Sequence, residues 1–403
     1  MNTKKRLAII GTVGLPAKYG GFETLADHLV NHLTKDHDIT VYCSKKKYTK
    51  EERIKEYNGA KLKYINLDAN GIQSIPYDTV SILHALFTSD VLLVLGVAGA
   101  WILPFVRFFT NKKIIISIDG IEWKRDKWSL PAKLYLRWAE KIAVKYSHID
   151  ISDNESIQDY TALRYGTISR VIEYGADHTM MVMPTDTDYK EYPFLTEDYA
   201  FKVCRIEPEN NVHVVLEAFK KVSHHKLVMV GNWEASEYGR KLKIKYDKVS
   251  NILLFDPIYD QKSIDLLRSN AASYIHGHSA GGTNPSLVEA MYLGLPILAY
   301  GVSYNRTTTE NKAIYFKTED ELIGHILNLD KKQLKPIGQN MKSIAERRYR
   351  WDLVTDKYRS LIAEALVVKT KQRIETKTSK LKVEMLDDMN LAHLKSPKLI
   401  FEK

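Results

Sequence analysis

The chain contains few cysteines and no recognisable metal-binding or redox pattern. Its 403 residues include only Cys43 and Cys204, which lie in separate strand-like runs far apart in the sequence. No CxxC pair or Cys/His cluster is present, so the sequence offers neither a disulfide framework nor a zinc site. We therefore expect a reducing, cytoplasmic environment, no cofactor and no metal.

The glycine fingerprint of dinucleotide-binding folds is also missing. The loop after the first strand reads GTVGLPAKYGGFET, without GxGxxG, and the second strand ITVYC is followed by Ser44 and three lysines. An NAD-binding fold needs an acidic residue at that place for the ribose. The lysines could contact the 2′-phosphate of NADP, but the missing glycine turn argues against a dehydrogenase.

No uninterrupted hydrophobic run has the length of an ordinary membrane span. The best candidate, residues 91–109, is broken by Gly96, Gly99 and Pro104 and carries Arg107. We interpret it as a buried strand, a glycine turn and a buried or interfacial helix, with a transmembrane helix as the alternative. The opening residues run directly into the strand-like LAIIG, so we expect no signal peptide.

Positive charge is in excess: 59 Lys and Arg against 49 Asp and Glu give a formal net charge of +10. This excess favours anionic partners such as phosphate groups, nucleic acid or an acidic membrane surface. Nucleic acid is the weakest of the three, because no nucleic-acid motif is present and the basic residues are not gathered on one stripe.

Strand-like and helical runs alternate from the first residues, beginning RLAIIG, GFETLADHLVNHL and HDITVYC, and a second such series begins near Tyr199. The alternation predicts an α/β protein with two doubly wound, Rossmann-like domains that bind ligands in a central cleft. Residues 179–198, with Pro184 and Pro193, predict a linker.

These patterns give four predicted regions along the chain. They are an N-terminal Rossmann-like domain at 1–185, a C-terminal Rossmann-like domain at 186–348, a closing helix at 349–368 that could cross back, and a charged extension at 369–403. The extension could be helical, mobile or partner-binding, and the sequence does not separate these.

The stretch HGHSAGGTNPSLVEAMYLGLP, residues 276–296, is the most informative part of the chain. Gly281 and Gly282 allow backbone amides to approach a ligand closely, and Asn284 followed by Pro285 is typical of a helix start. The amides and dipole at that helix start would suit a diphosphate. The alternative is an ordinary strand, loop and helix corner.

One carboxylate lies about a turn inside this predicted helix. Glu289 shares a helix face with Ser286 through i,i+3 spacing. A carboxylate repels phosphate but accepts hydrogen bonds from ribose hydroxyls. We therefore expect Glu289 to contact a nucleotide ribose, with a solvated glutamate as the alternative.

The N-terminal half contains further candidates at predicted strand ends. Gly20 and Gly21 could let backbone amides reach a phosphate or an acceptor hydroxyl, although a plain tight turn is the alternative. Asp119 follows the strand KIIISID, and Glu122 lies close behind it. Either carboxylate could orient an acceptor hydroxyl or accept its proton, although strand-terminal carboxylates are often structural.

A basic, aromatic segment follows at residues 122–146. Ser129 and Pro131 predict a helix start, and the helix that follows is amphipathic. Lysine and arginine beside tryptophan suit an anionic bilayer surface, and a solvated helix with inward aromatics is the alternative. In the second half, Arg205 follows the strand AFKVC, where an arginine can neutralise a diphosphate leaving group or be an ordinary surface charge.

Taken together, GTVGLPAKYGGFET, DGIEWKRDKW, CRIEPENN and HSAGGTNPSLVEAMYLGLPI resemble the retaining family-4 GT-B glycosyltransferases. More narrowly, they resemble bacterial rhamnosyltransferases of surface polysaccharide and capsule synthesis, over residues 6–365. The resemblance implies a nucleotide-sugar donor, most simply dTDP-L-rhamnose, in the C-terminal domain. It also implies a lipid-linked saccharide acceptor at the inner face of the plasma membrane, contacted peripherally.

The resemblance also implies roles for individual residues. Arg205 would contact the donor diphosphate and act in catalysis, while Glu289 would hold the ribose. Asp119 is a second predicted catalytic residue, on the ground of its place at the strand end. The remaining expected donor contacts are Asn210, His278, Gly281, Gly282, Thr283, Asn284 and Ser286.

Three positions depart from the broad family. It has a glutamate where this chain has Gly281, a lysine at Asn210 and a histidine at Asp119. The missing lysine removes a positive charge that His276 or His278 could replace, although a structural role for either is the alternative. The missing glutamate would alter contacts to sugar hydroxyls, as expected for a 6-deoxy sugar.

The implied reaction is sugar transfer with retention at the anomeric carbon. Two alternatives stay open at this point: a GT-B sugar-nucleotide epimerase, which needs no acceptor, and a catalytically weak binding subunit that recruits a partner through its basic tail.

Overall fold

The computed structural model describes residues 4–18, 20–118, 120–125, 127–328 and 330–371. These residues form two compact α/β units. The first comprises the described residues of 4–124, 128–173 and 351–371, and the second comprises 125, 127 and 174–350. The C-terminal helix therefore belongs to the first unit. The predicted extension lies outside the described residues beyond Lys371.

The first unit is built on an eight-stranded sheet. Its strands are β1 Lys5–Ile10, β2 His37–Ser44, β3 Glu56–Tyr57, β4 Ala60–Ile65, β5 Val91–Leu95, β6 Lys113–Ile118, β7 Ile149–Ser152 and β8 Arg170–Val171. Their spatial order is β3-β4-β2-β1-β5-β6-β7-β8, and all neighbours are parallel except β3 with β4. Leu7 to Ile10 and all of β5 are buried, as expected for central strands covered on both faces.

Helices connect these strands and cover the sheet. They are α1 Gly21–Leu33, α2 Ser74–Thr88, α3 Leu103–Phe109, α4 Leu130–Tyr146 and α5 Glu155–Tyr165. The C-terminal helix of the chain packs on α1, where Trp351 stacks on His28 with ring centroids 3.9 Å apart. That contact fixes the end of the described chain to the first unit.

The second unit is built on a six-stranded parallel sheet. Its strands are β9 Tyr199–Val203, β10 Lys226–Val230, β11 Ile252–Phe255, β12 Ser273–His276, β13 Ile297–Tyr300 and β14 Ile314–Phe316, in the order β11-β10-β9-β12-β13-β14. Its helices are α6 Asp186–Glu191, α7 Val212–Lys221, α8 Glu237–Tyr246, α9 Gln261–Ser269, α10 Pro285–Tyr292, α11 Ser303–Thr308, α12 Glu319–Asn328 and α13 Lys331–Arg348. The C-terminal helix of the first unit is α14 Trp351–Val367. The predicted α/β class with two doubly wound parallel sheets is confirmed.

One local prediction needs correction. The predicted linker contains α6, whose first turn is stabilised by a capping box in which Thr185 and Asp188 bond to each other's backbone amides. Periodicity alone gave no signal for this helix. The closing helix predicted at 349–368 corresponds to α14, Trp351–Val367, which belongs to the first unit.

The hydrophobic segment at residues 91–109 forms the short elements that its glycines and proline predict. It contains β5, a 3-10 turn at Ala100–Ile102 and α3. Among the described residues, no helix is long and apolar enough to cross a membrane.

Candidate functional site

The strand order of the second unit reverses beside its first strand. The chain passes from β9 to β10 on one side, and β12 later pairs with the other side of β9. Ligands of open parallel sheets bind outside the carboxyl ends of the strands at such a reversal. Two loops meet that condition here: residues 204–211 after β9, called the arginine loop, and residues 277–284 after β12, called the glycine loop.

The glycine loop leads directly into α10. Gly281 adopts φ +130°, a backbone conformation that side chains with a Cβ rarely take. α10 begins at Pro285 with Asn284 in the cap position, as predicted. The Asn284 side chain, however, does not cap the helix among the described contacts; its Nδ2 lies 3.4 Å from the Gly282 carbonyl oxygen. The positive end of the α10 dipole therefore points toward the glycine loop, and the Asn284 side chain does not occupy the amides there.

Glu289 lies in α10 and is bound by two basic side chains. Arg268 of α9 donates from Nη2 to its carboxylate at 2.6 Å, and His178 Nε2 is 3.4 Å from the other oxygen. Burial by itself would raise the pKa of the Glu289 carboxyl, but Arg268 and His178 outweigh burial and lower that pKa to about 2. Glu289 is therefore an ionised acceptor held in a fixed position.

The ion pair extends into the core of the second unit. Asp265 is fully buried; it lies 3.4 Å from Arg268 and accepts from the Met180 amide and from Gln261. The sequence analysis missed Arg268, Asp265 and His178. The sequence signal that could have indicated them was the oppositely charged pair Asp265 and Arg268, at i,i+3 spacing in α9. Ser286, which lies three residues before Glu289 in α10, bonds with Tyr274, and its contact with a donor stays a prediction.

Arg205 is the exposed cation of the arginine loop. Its side chain is 44% exposed, and Nη2 lies 3.8 Å from Glu207 Oε2, which makes a loose ion pair. Asn210 is buried and donates from Nδ2 to the Arg205 carbonyl oxygen at 2.7 Å. Asn210 thus closes the turn behind Arg205.

Hydrogen bonds join the two loops. The Ser279 amide and hydroxyl donate to the Glu209 carbonyl oxygen at 2.8 and 2.9 Å, and Asn211 Nδ2 donates to the Gly277 carbonyl oxygen at 2.8 Å. A Cβ added at Gly277 would clash with the Asn210 carbonyl oxygen. The sequence therefore requires glycine at 277, and the loops form one surface.

Four buried polar side chains lie around these loops. The rings of His276 and His278 are stacked with centroids 4.2 Å apart, and Lys202 of β9 and Glu209 of the arginine loop are also buried. Within the described part of the chain, no hydrogen bond reaches either His276 nitrogen or His278 Nδ1. Lys202 bonds with the Cys204 thiol, and the Glu209 side chain bonds with Glu207. Buried polar groups in native proteins are normally paired, so such a group indicates a site that a ligand completes.

Burial shifts the pKa of each of these four groups. It lowers the pKa of the Lys202 ammonium and of both imidazoles, and it raises the pKa of the Glu209 carboxyl. The sequence analysis named both histidines and missed Lys202 and Glu209. A lysine inside the apolar strand AFKVC was the available signal.

The first-strand loop of the first unit is organised differently. Gly20, at φ +134°, precedes α1, which begins at Gly21. The Glu23 carboxylate accepts from Thr12 Oγ1 at 2.9 Å and from the Val13 amide at 2.6 Å, and a Cβ at Gly20 would clash with it. Gly20 thus makes room for Glu23, which the sequence analysis missed. Ligand contact by Gly20 and Gly21 stays a prediction.

Of the two carboxylates predicted near the end of β6, only Glu122 is among the described residues. Asp119 lies outside the described residues. Glu122 is in a 3-10 turn, Glu122–Lys124, and its Oε1 accepts from Trp128 Nε1 at 2.9 Å.

Thr283, a further predicted donor contact in the glycine loop of the second unit, is buried. Among the described residues, no group of three or more His, Cys, Asp or Glu side chains could hold a metal ion.

Two family models match the chain, one in each half. Residues 4–177 match a domain of unknown function, DUF1972, and residues 185–348 match Glycosyl transferases group 1. No curated protein sequence matches significantly.

Solved structures share the fold at low sequence identity. Sucrose-phosphate synthase from Thermosynechococcus elongatus aligns with a TM-score of 0.75 at 14% identity, over 90% of this chain and 100% of that one. HepE from Anabaena, in complex with UDP, aligns at 0.68 and 13%, over 89% and 100%. A glycosyltransferase from Rickettsia africae aligns at 0.67 and 14%, over 92% and 100%. These structures show a shared fold, and the match to Glycosyl transferases group 1 covers residues 185–348 of the chain.

Proposed function

We propose that the protein transfers L-rhamnose from dTDP-L-rhamnose, with retention, to a lipid-linked saccharide in surface polysaccharide synthesis. The observation that carries the proposal is the joined pair of loops in the second unit. Together they present an exposed Arg205, the start of α10 and an ionised Glu289 at the strand-order reversal. The binding of UDP, glucose and UDP-glucose by HepE supports a nucleotide-sugar donor.

Each group has a separate task in this proposal. Arg205 and the positive end of α10 neutralise the donor diphosphate. Glu289 accepts hydrogen bonds from the ribose hydroxyls, because Arg268 and His178 keep it charged and leave it unable to rotate freely. Thr283 and the other loop residues shape the diphosphate site, and no metal is required.

The bond changes follow from this arrangement. The bond between the anomeric carbon and the diphosphate oxygen breaks, and the acceptor oxygen bonds to that carbon on the same face. The acceptor proton passes to an oxygen of the leaving diphosphate, so the scheme needs no protein nucleophile. Arg205 stabilises the negative charge that develops on the leaving group, a contribution of about 10²–10³ in rate for one such donor.

The conformation of Gly281 supports a deoxysugar donor. Its φ of +130° would strain a residue with a side chain, so the loop in this form does not accommodate a glutamate. A carboxylate at this place would suit a hydroxyl-bearing sugar carbon. Its absence fits a sugar whose sixth carbon is a methyl group.

The acceptor, in this proposal, meets the N-terminal domain at the inner membrane face. The basic helix α4 contacts anionic headgroups, and Asp119 or Glu122 orients the acceptor hydroxyl.

The test compares dTDP-L-rhamnose with UDP-glucose, each with a lipid-linked saccharide mimic. We expect rhamnosyl product only from the first donor, with the anomeric configuration retained by NMR. Product formed with UDP-glucose but not with dTDP-L-rhamnose would reject the assignment of dTDP-L-rhamnose as donor. A product with inverted anomeric configuration would reject the retaining mechanism. A new sugar nucleotide formed without acceptor would favour the epimerase. Tight donor binding without turnover, together with a partner in a pull-down, would favour the binding subunit.

A further inference from the structure

The short helix α3 presents three phenylalanine rings to solvent. Leu103 and Val106 are buried against the first unit, while Phe105, Phe108 and Phe109 are 56%, 72% and 81% exposed. Each ring carries a large apolar surface whose contact with water is unfavourable. Clustered exposure of this kind marks an interaction surface.

The exposed surface continues onto the neighbouring elements. The 3-10 turn at Ala100–Ile102 and α3 both pack against α4, and the edge of Phe108 meets the Tyr146 ring at 5.8 Å between centroids. We call this surface the aromatic face; its exposed members are Trp101, Phe105, Phe108, Phe109, Leu130, Leu134 and Trp138. It does not include Trp123, which is buried. The sequence pattern therefore indicated the helix correctly but not which aromatic rings are outside.

Positive charge borders the aromatic face. Lys141 and Lys145 are exposed on the C-terminal half of α4, and Lys145 Nζ lies 5.1 Å from the centroid of the Tyr146 ring, which itself contacts Phe108. The sequence from Val91 to Ile118 contains no acidic residue. The single acid of α4, Glu140, is buried and accepts from Tyr160. The face is thus apolar at its centre and cationic at its edge.

We propose that the aromatic face inserts into an anionic lipid surface, with the phenylalanines of α3 below the headgroups and Lys141 and Lys145 at the lipid phosphates. Exposed aromatic rings beside lysines match the interfacial zone of a bilayer, where rings are partly buried and cations stay hydrated. A protein partner would have to bring its own acidic side chains to Lys141 and Lys145, whereas an anionic bilayer supplies phosphates beside an apolar layer. This insertion goes beyond headgroup contact by α4, because it assigns the apolar binding energy to α3.

The proposal predicts two separable components of binding. The phenylalanines supply an apolar component that salt does not screen, and the lysines supply an electrostatic component that weakens at high ionic strength. Because both components belong to the first unit, vesicle binding requires no nucleotide sugar.

The experiment measures sedimentation of the full chain with vesicles of phosphatidylcholine alone or mixed with phosphatidylglycerol. We expect binding to the mixed vesicles and little to the neutral ones. The variant Phe105→Ser/Phe108→Ser/Phe109→Ser should lose about tenfold or more in vesicle affinity. The variant Lys141→Gln/Lys145→Gln should lose about tenfold at low salt and little at high salt.

The matched control is Ile244→Ser, which removes an equally exposed apolar side chain, 82% exposed, from α8 of the second unit. It should bind vesicles as the wild type does. Thermal unfolding of every variant checks the fold, and the exposed positions predict little change in Tm.

Three results would overturn the proposal: vesicle binding unaffected by the triple serine variant, equal binding to neutral and anionic vesicles, or no vesicle binding. Wild-type self-association that the triple variant abolishes would assign the face to a second copy of the chain. Vesicle binding together with absent sugar transfer would reject the proposed function and leave this proposal standing.

Discussion

The first loop of each unit follows the first strand at the reversal of strand order, yet the two loops differ in how their polar groups are paired. In the first unit, the Glu23 carboxylate lies inside the loop and accepts hydrogen bonds from Thr12 Oγ1 and the Val13 amide. In the second unit, both nitrogens of His276 and Nδ1 of His278 are buried beside the loop with no hydrogen bond among the described residues. The same topology thus gives one loop that is complete and one that a ligand completes.

The difference also separates stability from binding. A loop whose polar groups are paired gains stability from them, and a buried group without a partner costs stability until a ligand bonds to it. We therefore assign the anionic donor to the second unit, and four substitutions test that assignment.

The largest effect should come from Arg268→Met in the second unit. It removes the guanidinium that pairs with Glu289 and Asp265, and breaking a buried pair from one side costs about 3–5 kcal/mol. Urea unfolding should show that loss in the free energy of unfolding. An unchanged value would mean that Glu289 is not held by this pair.

Acid titration of the same variant sharpens the result. The folded pKa of Glu289 is lowered from 4.5 to about 2, so its ion pairs stabilise the wild type above pH 4.5, and that contribution is lost as the pH falls toward 2. In Arg268→Met the loss over this range should be smaller. Equal slopes for the two proteins would contradict the assigned pair.

The next effect is on turnover. Arg205→Ala should reduce kcat/KM by about 10²–10³, because it removes the exposed cation that stabilises the leaving diphosphate. The unfolding free energy should stay close to that of the wild type. Arg240→Ala, at an exposed position on α8, is the matched control and should retain full activity. Equal losses of kcat/KM in the two variants would show that Arg205 acts only as an ordinary surface charge.

A smaller effect is expected in the first unit. Gly20→Ala should destabilise the fold by about 1–3 kcal/mol, because φ +134° strains alanine and the added Cβ displaces Glu23 from Thr12 and Val13. Donor affinity, measured by calorimetry with dTDP, should not change. Gly324→Ala in α12, where a Cβ meets open space, should instead stabilise slightly. A loss of dTDP affinity in Gly20→Ala would shift the donor site toward the first unit.

The smallest effect has the opposite sign. Lys202→Met removes a fully buried amine that bonds with the weakly accepting Cys204 thiol, and it should leave stability unchanged or raise it by no more than about 1 kcal/mol. Affinity for dTDP should fall at the same time. Parallel losses of stability and affinity would show that Lys202 stabilises the fold, and an unchanged affinity would separate it from the donor.

Sequence pattern was sufficient for the sheets and for the start of α10. Continuous apolar runs such as Leu7–Ile10 are typical of buried parallel strands, and Asn284 with Pro285 marks a helix start on local chemistry alone. The two-residue strands β3 and β8 were missed because they are too short for a period.

The partners of the site residues were harder to predict because they depend on tertiary packing. Arg268 reaches Glu289 from another helix, and nothing local to either residue indicates the pair. The same holds for Glu23, whose partners lie ten and eleven residues earlier across a turn. Exposure of the α3 phenylalanines likewise follows only from what α3 packs against.

Amide hydrogen exchange with and without dTDP tests the central claim most directly, because it compares both loops in one protein. We predict that dTDP protects amides of residues 204–211 and 277–284 and leaves those of 11–21 unchanged. Protection confined to residues 11–21, or no protection in either second-unit loop at saturating dTDP, would contradict the assignment of the donor to the second unit.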